Sequence, residues 1–191
     1  MSENISRMLS RKTVFEGRFL RFLLTRYADS SGIEREGESV ERIDCNGIVV
    51  IVPLTDDLEF LLIRQFRPPV NSYVIEFPAG LNDKGDSLQE AAGRELLEET
   101  GYAAREMIYL TEGPMSSGSS GEILTCYLAK GLEFKGIGER DETEEIEVIK
   151  VPVRELGPRL SDLRAEGNLV DLKIYGLADL AIRLLDSRTR T

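Results

Sequence analysis

Glu95, Glu98 and Glu99 carry the first chemical signal in this sequence, within the run Arg94-Glu95-Leu96-Leu97-Glu98-Glu99. On a helix, Glu95 and Glu99 lie about 40° apart around the axis, with Glu98 about 60° to the other side. Three carboxylates thus share one sector of roughly 100°. Like charges four apart destabilise a helix by about 0.2–0.5 kcal/mol per pair, and anions near a helix C-terminus oppose its dipole. Two readings fit this spacing. One is a solvated acidic face with Arg94 paired to Glu98; the other is a site for a hard divalent cation, which prefers oxygen ligands and would neutralise the cluster.

Composition narrows the chemistry further. The chain has 191 residues and no His, so a His base, a Ser-His-Asp triad and a His-based metal site are excluded. Two cysteines, Cys45 and Cys126, cannot complete a four-cysteine metal site. Acid–base and metal chemistry must therefore run on carboxylates, lysines or tyrosines. With 24 Lys+Arg against 34 Asp+Glu, the net charge is −10, which disfavours nucleic-acid and anionic-membrane binding. An acidic protein that handles phosphates needs divalent cations to offset the repulsion. The longest apolar run, 48–54, is too short to span a bilayer, and the polar N-terminus shows no signal peptide. Few cysteines and no export signal lead to a cytoplasmic expectation. Cys126, in an apolar run, reads as a core filler.

The elements that must position these groups follow from local pattern. The stretch 12–28 reads as two strands broken near Glu16-Gly17, with a polar return strand over 33–44. Residues 1–45 carry too few apolar side chains to bury a core alone, so they are expected to pack on the rest of the chain or on a partner subunit. The body, 46–191, reads as strands at 47–54, 60–66 and 73–77, then a Gly/Asp loop at 78–86. Ser87 and Glu90 have the S-x-x-E spacing of a capping box and open a helix that stops at Gly101. Strands are predicted at 106–112 and 122–129, a long acidic loop at 131–145, a strand at 146–153 and helices near 153–166 and 170–187. Leu156, Leu160 and Leu163, and Leu177, Leu180 and Leu184, fall at helical spacing and read as core. Strands with a mid-chain helix and two terminal helices imply an α/β protein with a mixed sheet between helical layers.

Gly80, Arg94, Glu95, Leu96, Glu98, Glu99 and Gly101 also match, at every spacing, the Nudix box G-x5-E-x7-R-E-U-x-E-E-x-G-U, in which U is bulky and apolar. Asp86 stands where the family has Glu, and Tyr102 where it has an aliphatic residue. Residues 63–81 and 142–185 resemble the branch of the Nudix hydrolases that cleaves ADP-ribose and nucleoside diphosphate sugars. The resemblance implies an α/β/α sandwich with a small antiparallel N-terminal β segment, assembled as a homodimer through 1–45. It further implies Mg²⁺, with Mn²⁺ as a substitute, held by Glu95, Glu99 and the backbone oxygen of Ala79. Glu98 is a third box carboxylate, a ligand or a partner of Arg94.

In the family the acidic loop supplies the group that activates water and a further metal ligand, and Glu142 and Glu144 occupy those positions. Arg67 matches an arginine on substrate phosphate. Glu76 contacts substrate or orients Arg67, and Leu81 lines the substrate side of the box loop. Phe19 falls where relatives stack an aromatic on the base, while Gly37 replaces the other member of that pair. Glu38 and Arg42 fall where relatives read the base or the adjacent phosphate. Ser117 replaces a proline common in ADP-ribose hydrolases. The reaction implied is hydrolysis of ADP-ribose or a similar nucleoside diphosphate sugar to a nucleoside monophosphate and a sugar phosphate. The alternatives are another sugar nucleotide, such as GDP-mannose or ADP-glucose, and a binding module that does not hydrolyse its ligand.

Overall fold

The computed structural model describes residues 5–136 and 145–188. Its first unit is a three-stranded antiparallel sheet of β1 (Arg7–Glu16), β2 (Leu20–Ala28) and β3 (Glu34–Arg42). The turn after β2 is held by Asp29, whose carboxylate accepts the N–H of Ser31 at 2.9 Å and of Ile33 at 3.0 Å. All of β1 is exposed, and Leu23 is the only buried side chain among residues 5–45. The expectation that this segment lacks its own core is borne out by that burial pattern.

The body contains two four-stranded mixed sheets where the sequence pattern implied one. In the first, β4 (Ile48–Pro53) lies between β7 (Ala79–Leu81) and β9 (Ile123–Phe134), and β8 (Tyr102–Pro114) flanks β9. The β4–β9 pairing is parallel, the others antiparallel. The second sheet runs β10 (Ile146–Pro152), β5 (Glu59–Arg67), β6 (Ser72–Glu76) and β11 (Leu169–Val170), with only β6–β11 parallel. Strand β7 was not foreseen; its three residues lie in the predicted loop.

β4 shows why two layers form. Its side chains alternate between faces, as strand geometry requires. Val49 and Ile51 pack with Ala91, Ala92 and Leu96 of α1 (Leu88–Thr100). Val50 and Val52 pack on the opposite side, with Phe60, Leu62 and Ile75 from the second sheet. Leu160 and Leu163 of α2 (Leu156–Ala165), and Ile174, Leu177, Ala178 and Ala181 of α3 (Lys173–Arg188), complete that larger core. Leu180 corrects the sequence reading: it is 42% exposed, because the buried stripe of α3 runs through the two alanines instead.

Candidate active site

Ends fix α1 firmly. Ser87 Oγ accepts the Glu90 N–H at 3.2 Å, and Glu90 returns the bond to the Ser87 N–H at 2.9 Å, completing the capping box. Such a cap is worth about 1 kcal/mol. At the other end Gly101 takes φ +78° and its N–H reaches the Leu97 carbonyl at 2.8 Å. A side chain there would meet a ring carbon of Phe134 at 2.8 Å, so Gly101 serves both backbone conformation and space.

The box carboxylates occupy three different environments. Glu99 is 5% exposed, and its carboxylate accepts the Ala79 N–H at 2.9 Å, which ties α1 to β7. Glu95 lies against Gly80 so closely that a Cβ on that residue would fall 1.9 Å from the Glu95 carboxyl carbon. Only glycine at position 80 leaves the Glu95 carboxylate where it stands. Glu98 is the most exposed of the three, with Lys84 Nζ at 3.8 Å.

Arg94 threads this acidic wall. Its Nη1 donates to Glu95 at 2.8 Å and to Glu98 at 3.1 Å, and its Nη2 donates to the Leu81 carbonyl at 3.2 Å. Burial disfavours its charge, but Glu95 and Glu98 outweigh that and hold its pKa above the ordinary arginine value. The Arg94–Glu98 pair of the first reading exists, and it stands inside a cleft instead of on an open solvated face. Asn82 fixes the loop between β7 and α1, donating from Nδ2 to the Asp86 carbonyl at 2.7 Å.

Across the cleft stands a wall of paired charges. Arg67 ends β5 and precedes a short 3-10 turn, Pro68–Val70, closed by Asn71 in the left-handed region at φ 47°. The prolines stiffen this turn. Arg67 Nε donates to Glu76 at 2.7 Å. Glu76 is 7% exposed, and burial holds its pKa above the usual carboxylate value although Arg67 partly offsets this. Beyond Glu76 lie Asp171 and Lys173, which form an ion pair.

The cleft between the walls has a volume of about 780 Å³. The structure brings Arg42, Arg67, Glu76, Ala79, Leu81, Glu95, Glu98 and Glu99 to its lining, all named from sequence. Phe19 and Glu38 stay on the N-terminal sheet, outside this cleft of the same chain; Phe19 is 65% exposed and borders a separate shallow recess with Phe15 and Val40. Glu142 and Glu144 lie outside the described residues. Sequence reasoning missed Asp83, Lys84, Asp171 and Lys173 as lining residues. The last two follow a two-residue strand that only its parallel pairing with β6 brings here, and no local pattern signals that. Cys126 is buried as expected, and burial pushes its thiol pKa up to about 11.

Oxygen donors on a pinned helix are what a hard divalent cation requires. Among the described residues no three carboxylates stand close enough to hold one by themselves. Glu95 and Glu98 turn to Arg94, and Glu99 to the Ala79 N–H. The acidic box wall, the glycine-cleared approach of Glu95 and the sandwich of sheets and helices together define a Nudix hydrolase. Residues 46–172 match the NUDIX domain, and the chain belongs to that family. It is 34% identical to the ADP-sugar pyrophosphatase of Mus musculus, over 94% of this chain and 88% of that one. It is 30% identical to the ADP-ribose pyrophosphatase of Bacillus subtilis (strain 168), over 77% and 78% of the two chains. Among solved structures, an ADP compounds hydrolase superposes with a TM-score of 0.81 at 26% identity, covering 100% of both chains.

Proposed function

We propose that this enzyme hydrolyses the pyrophosphate bond of ADP-ribose or a closely related nucleoside diphosphate sugar, releasing a nucleoside monophosphate and a sugar phosphate. The observation that carries the reading is the cleft itself, a space of about 780 Å³ lined by both the α1 carboxylates and a cationic side chain, Arg67. The relatives' names, an ADP-sugar and an ADP-ribose pyrophosphatase, support the same substrate class.

Glu95, Glu99 and the backbone oxygen of Ala79 would hold Mg²⁺, with Mn²⁺ as a substitute, and Glu98 and Glu144 complete the carboxylate set. When bound, such ions neutralise pyrophosphate charge, acidify the attacking water and stabilise the leaving phosphate. The chain's own residues do the rest. Gly80 keeps the approach to Glu95 open. Glu76 fixes the Arg67 guanidinium, which then meets a phosphoryl oxygen in one orientation. Glu142 or Glu144 accepts the proton of the water that attacks phosphorus, as the bond from phosphorus to the bridging oxygen breaks. Positioning and electrostatics dominate such chemistry.

Two further parts of the reading concern assembly and place. The chain is a homodimer joined through residues 1–45, and Phe19 and Glu38, which do not line their own cleft, serve the base in the partner's. It works in the cytoplasm, without nucleic acid or membrane; among the described residues no helix is long and apolar enough to cross a bilayer. The deciding experiment is a phosphate-release assay with Mg²⁺ and a coupled phosphatase over ADP-ribose, ADP-glucose, GDP-mannose, UDP-glucose, NADH and diadenosine polyphosphates. Preference for ADP-ribose supports the reading. Preference for GDP-mannose or ADP-glucose moves specificity to another sugar nucleotide, and no turnover of any member overturns the reading.

A further inference from the structure

We propose that Lys173 is a second cationic substrate-binding residue of the cleft, held by Asp171 so that its ammonium meets a phosphoryl oxygen of the bound diphosphate. This rests on the pyrophosphatase reading above and extends it to a residue that lies outside the Nudix box.

Position is the first ground. Asp171 is set by its backbone, whose N–H donates to the Ile75 carbonyl at 2.9 Å beside the end of β6. That places Asp171 and Lys173 next to Glu76, whose charge both of them influence. All three line the cleft with Arg67.

The second ground is that local structure does not ask for a lysine. Asp171 Oδ1 accepts the Lys173 backbone N–H at 2.9 Å where α3 begins, and any residue except proline would supply that N–H. A cation on the first turn of a helix also opposes the helix dipole, at a cost of about 0.3–1 kcal/mol. Lys173 nonetheless stands there, with its side chain only 26% exposed and its ammonium paired to the other oxygen of Asp171.

Third, the pair repeats the design of Arg67 and Glu76. Each cation on this wall is anchored by a carboxylate less exposed than itself: 38% against 10% for Arg67 and Glu76, 26% against 15% for Lys173 and Asp171. An ammonium has three N–H donors, and Asp171 takes one. Two anchored cations in a cleft whose carboxylates would hold divalent ions match a diphosphate, whose negative charge would then be offset by both.

The test compares Lys173→Met, which keeps the aliphatic stem, with Lys173→Arg, which keeps the charge. KM and kcat are measured on ADP-ribose and ADP-glucose, and binding of α,β-methylene-ADP is measured by calorimetry. Lys173→Met should raise KM and weaken methylene-ADP binding roughly 10- to 100-fold, by equal factors for both sugars, as expected for loss of a charge-assisted hydrogen bond. Lys173→Arg should recover most of the loss. An unchanged KM, or equal losses in both variants, overturns the inference while leaving the enzyme's function intact. A penalty that depends on the sugar overturns the phosphate assignment in favour of a sugar hydroxyl. If the wild type turns over no substrate, the functional reading falls. Methylene-ADP binding then decides Lys173 by itself: weakened in Lys173→Met, the contact stands; unchanged, it does not.

Discussion

The helix α1 and the N-terminal sheet solve opposite problems. α1 is capped at both ends by its own neighbours, buries Ala91, Ala92 and Leu96, and ties Glu99 to the backbone of β7. Its caps and its tie to β7 all lie between Ala79 and Gly101. The N-terminal sheet has Leu23 as its one buried side chain and leaves Met8, Val14, Phe15, Phe19 and Ile33 more than half exposed. Its join to the body is narrow: Val40 donates to the Ser119 carbonyl at 2.8 Å, and Arg42 pairs with Glu122 at 2.8 Å. One region is complete within the chain, and the other presents apolar surface that a second subunit would cover. The proposed chemistry thus resides where the chain is most self-determined, and the proposed assembly where it is least.

Four substitutions put that contrast at risk. Glu99→Gln keeps the size of the side chain but removes its charge, and should lower kcat by roughly three orders of magnitude with the circular dichroism spectrum unchanged. Retained turnover would take Glu99 out of the metal site. Gly80→Ala should lower kcat about 100-fold by displacing the Glu95 carboxylate, with a stability loss below about 1 kcal/mol in urea titrations, since the added carbon meets only the far end of a flexible side chain.

Smaller effects are expected in the other region. Phe15→Asp should leave the body folded and turn a dimer into a monomer in light scattering at micromolar concentration. A wild type that is already monomeric would remove the interface role of 1–45. Arg42→Ala, at the join, should change stability by less than about 1 kcal/mol, because the pair is partly exposed. It should raise KM by no more than several-fold. A collapse of activity would show that the sheet and the cleft are coupled far more tightly than their contacts imply.

How much of this was legible in the sequence depended on the range of each interaction. α1 was readable to its caps because Ser87, Glu90 and Gly101 act within a few residues of themselves. β7 was not, since its three residues become a strand only through pairing with β4. In α3, spacing alone put Leu180 in the core, but the buried stripe runs through Ile174, Leu177, Ala178 and Ala181, and at about 100° per residue Leu180 falls to its side. At the site, the box glutamates, Arg67 and Glu76 were found because they sit in or beside a motif. Asp171 and Lys173 were missed because their place is set by a two-strand contact between segments far apart in the chain.

The parallel pairing of β4 with β9 has a consequence for how the enzyme comes to be active. Ile48 meets Leu124 only after β5, β6, β7, α1 and β8 have been made, and this long closure must precede its reward. α1 rests on both strands, packing against Val49 and Ile51 of β4 and Tyr127 and Ala129 of β9. Its helical turns can form early from local signals, but the surface that seats it is incomplete until Tyr127 and Ala129 of β9 arrive. Competence is therefore acquired late in folding, and a chain interrupted before β9 carries the whole Nudix box without a seat for it.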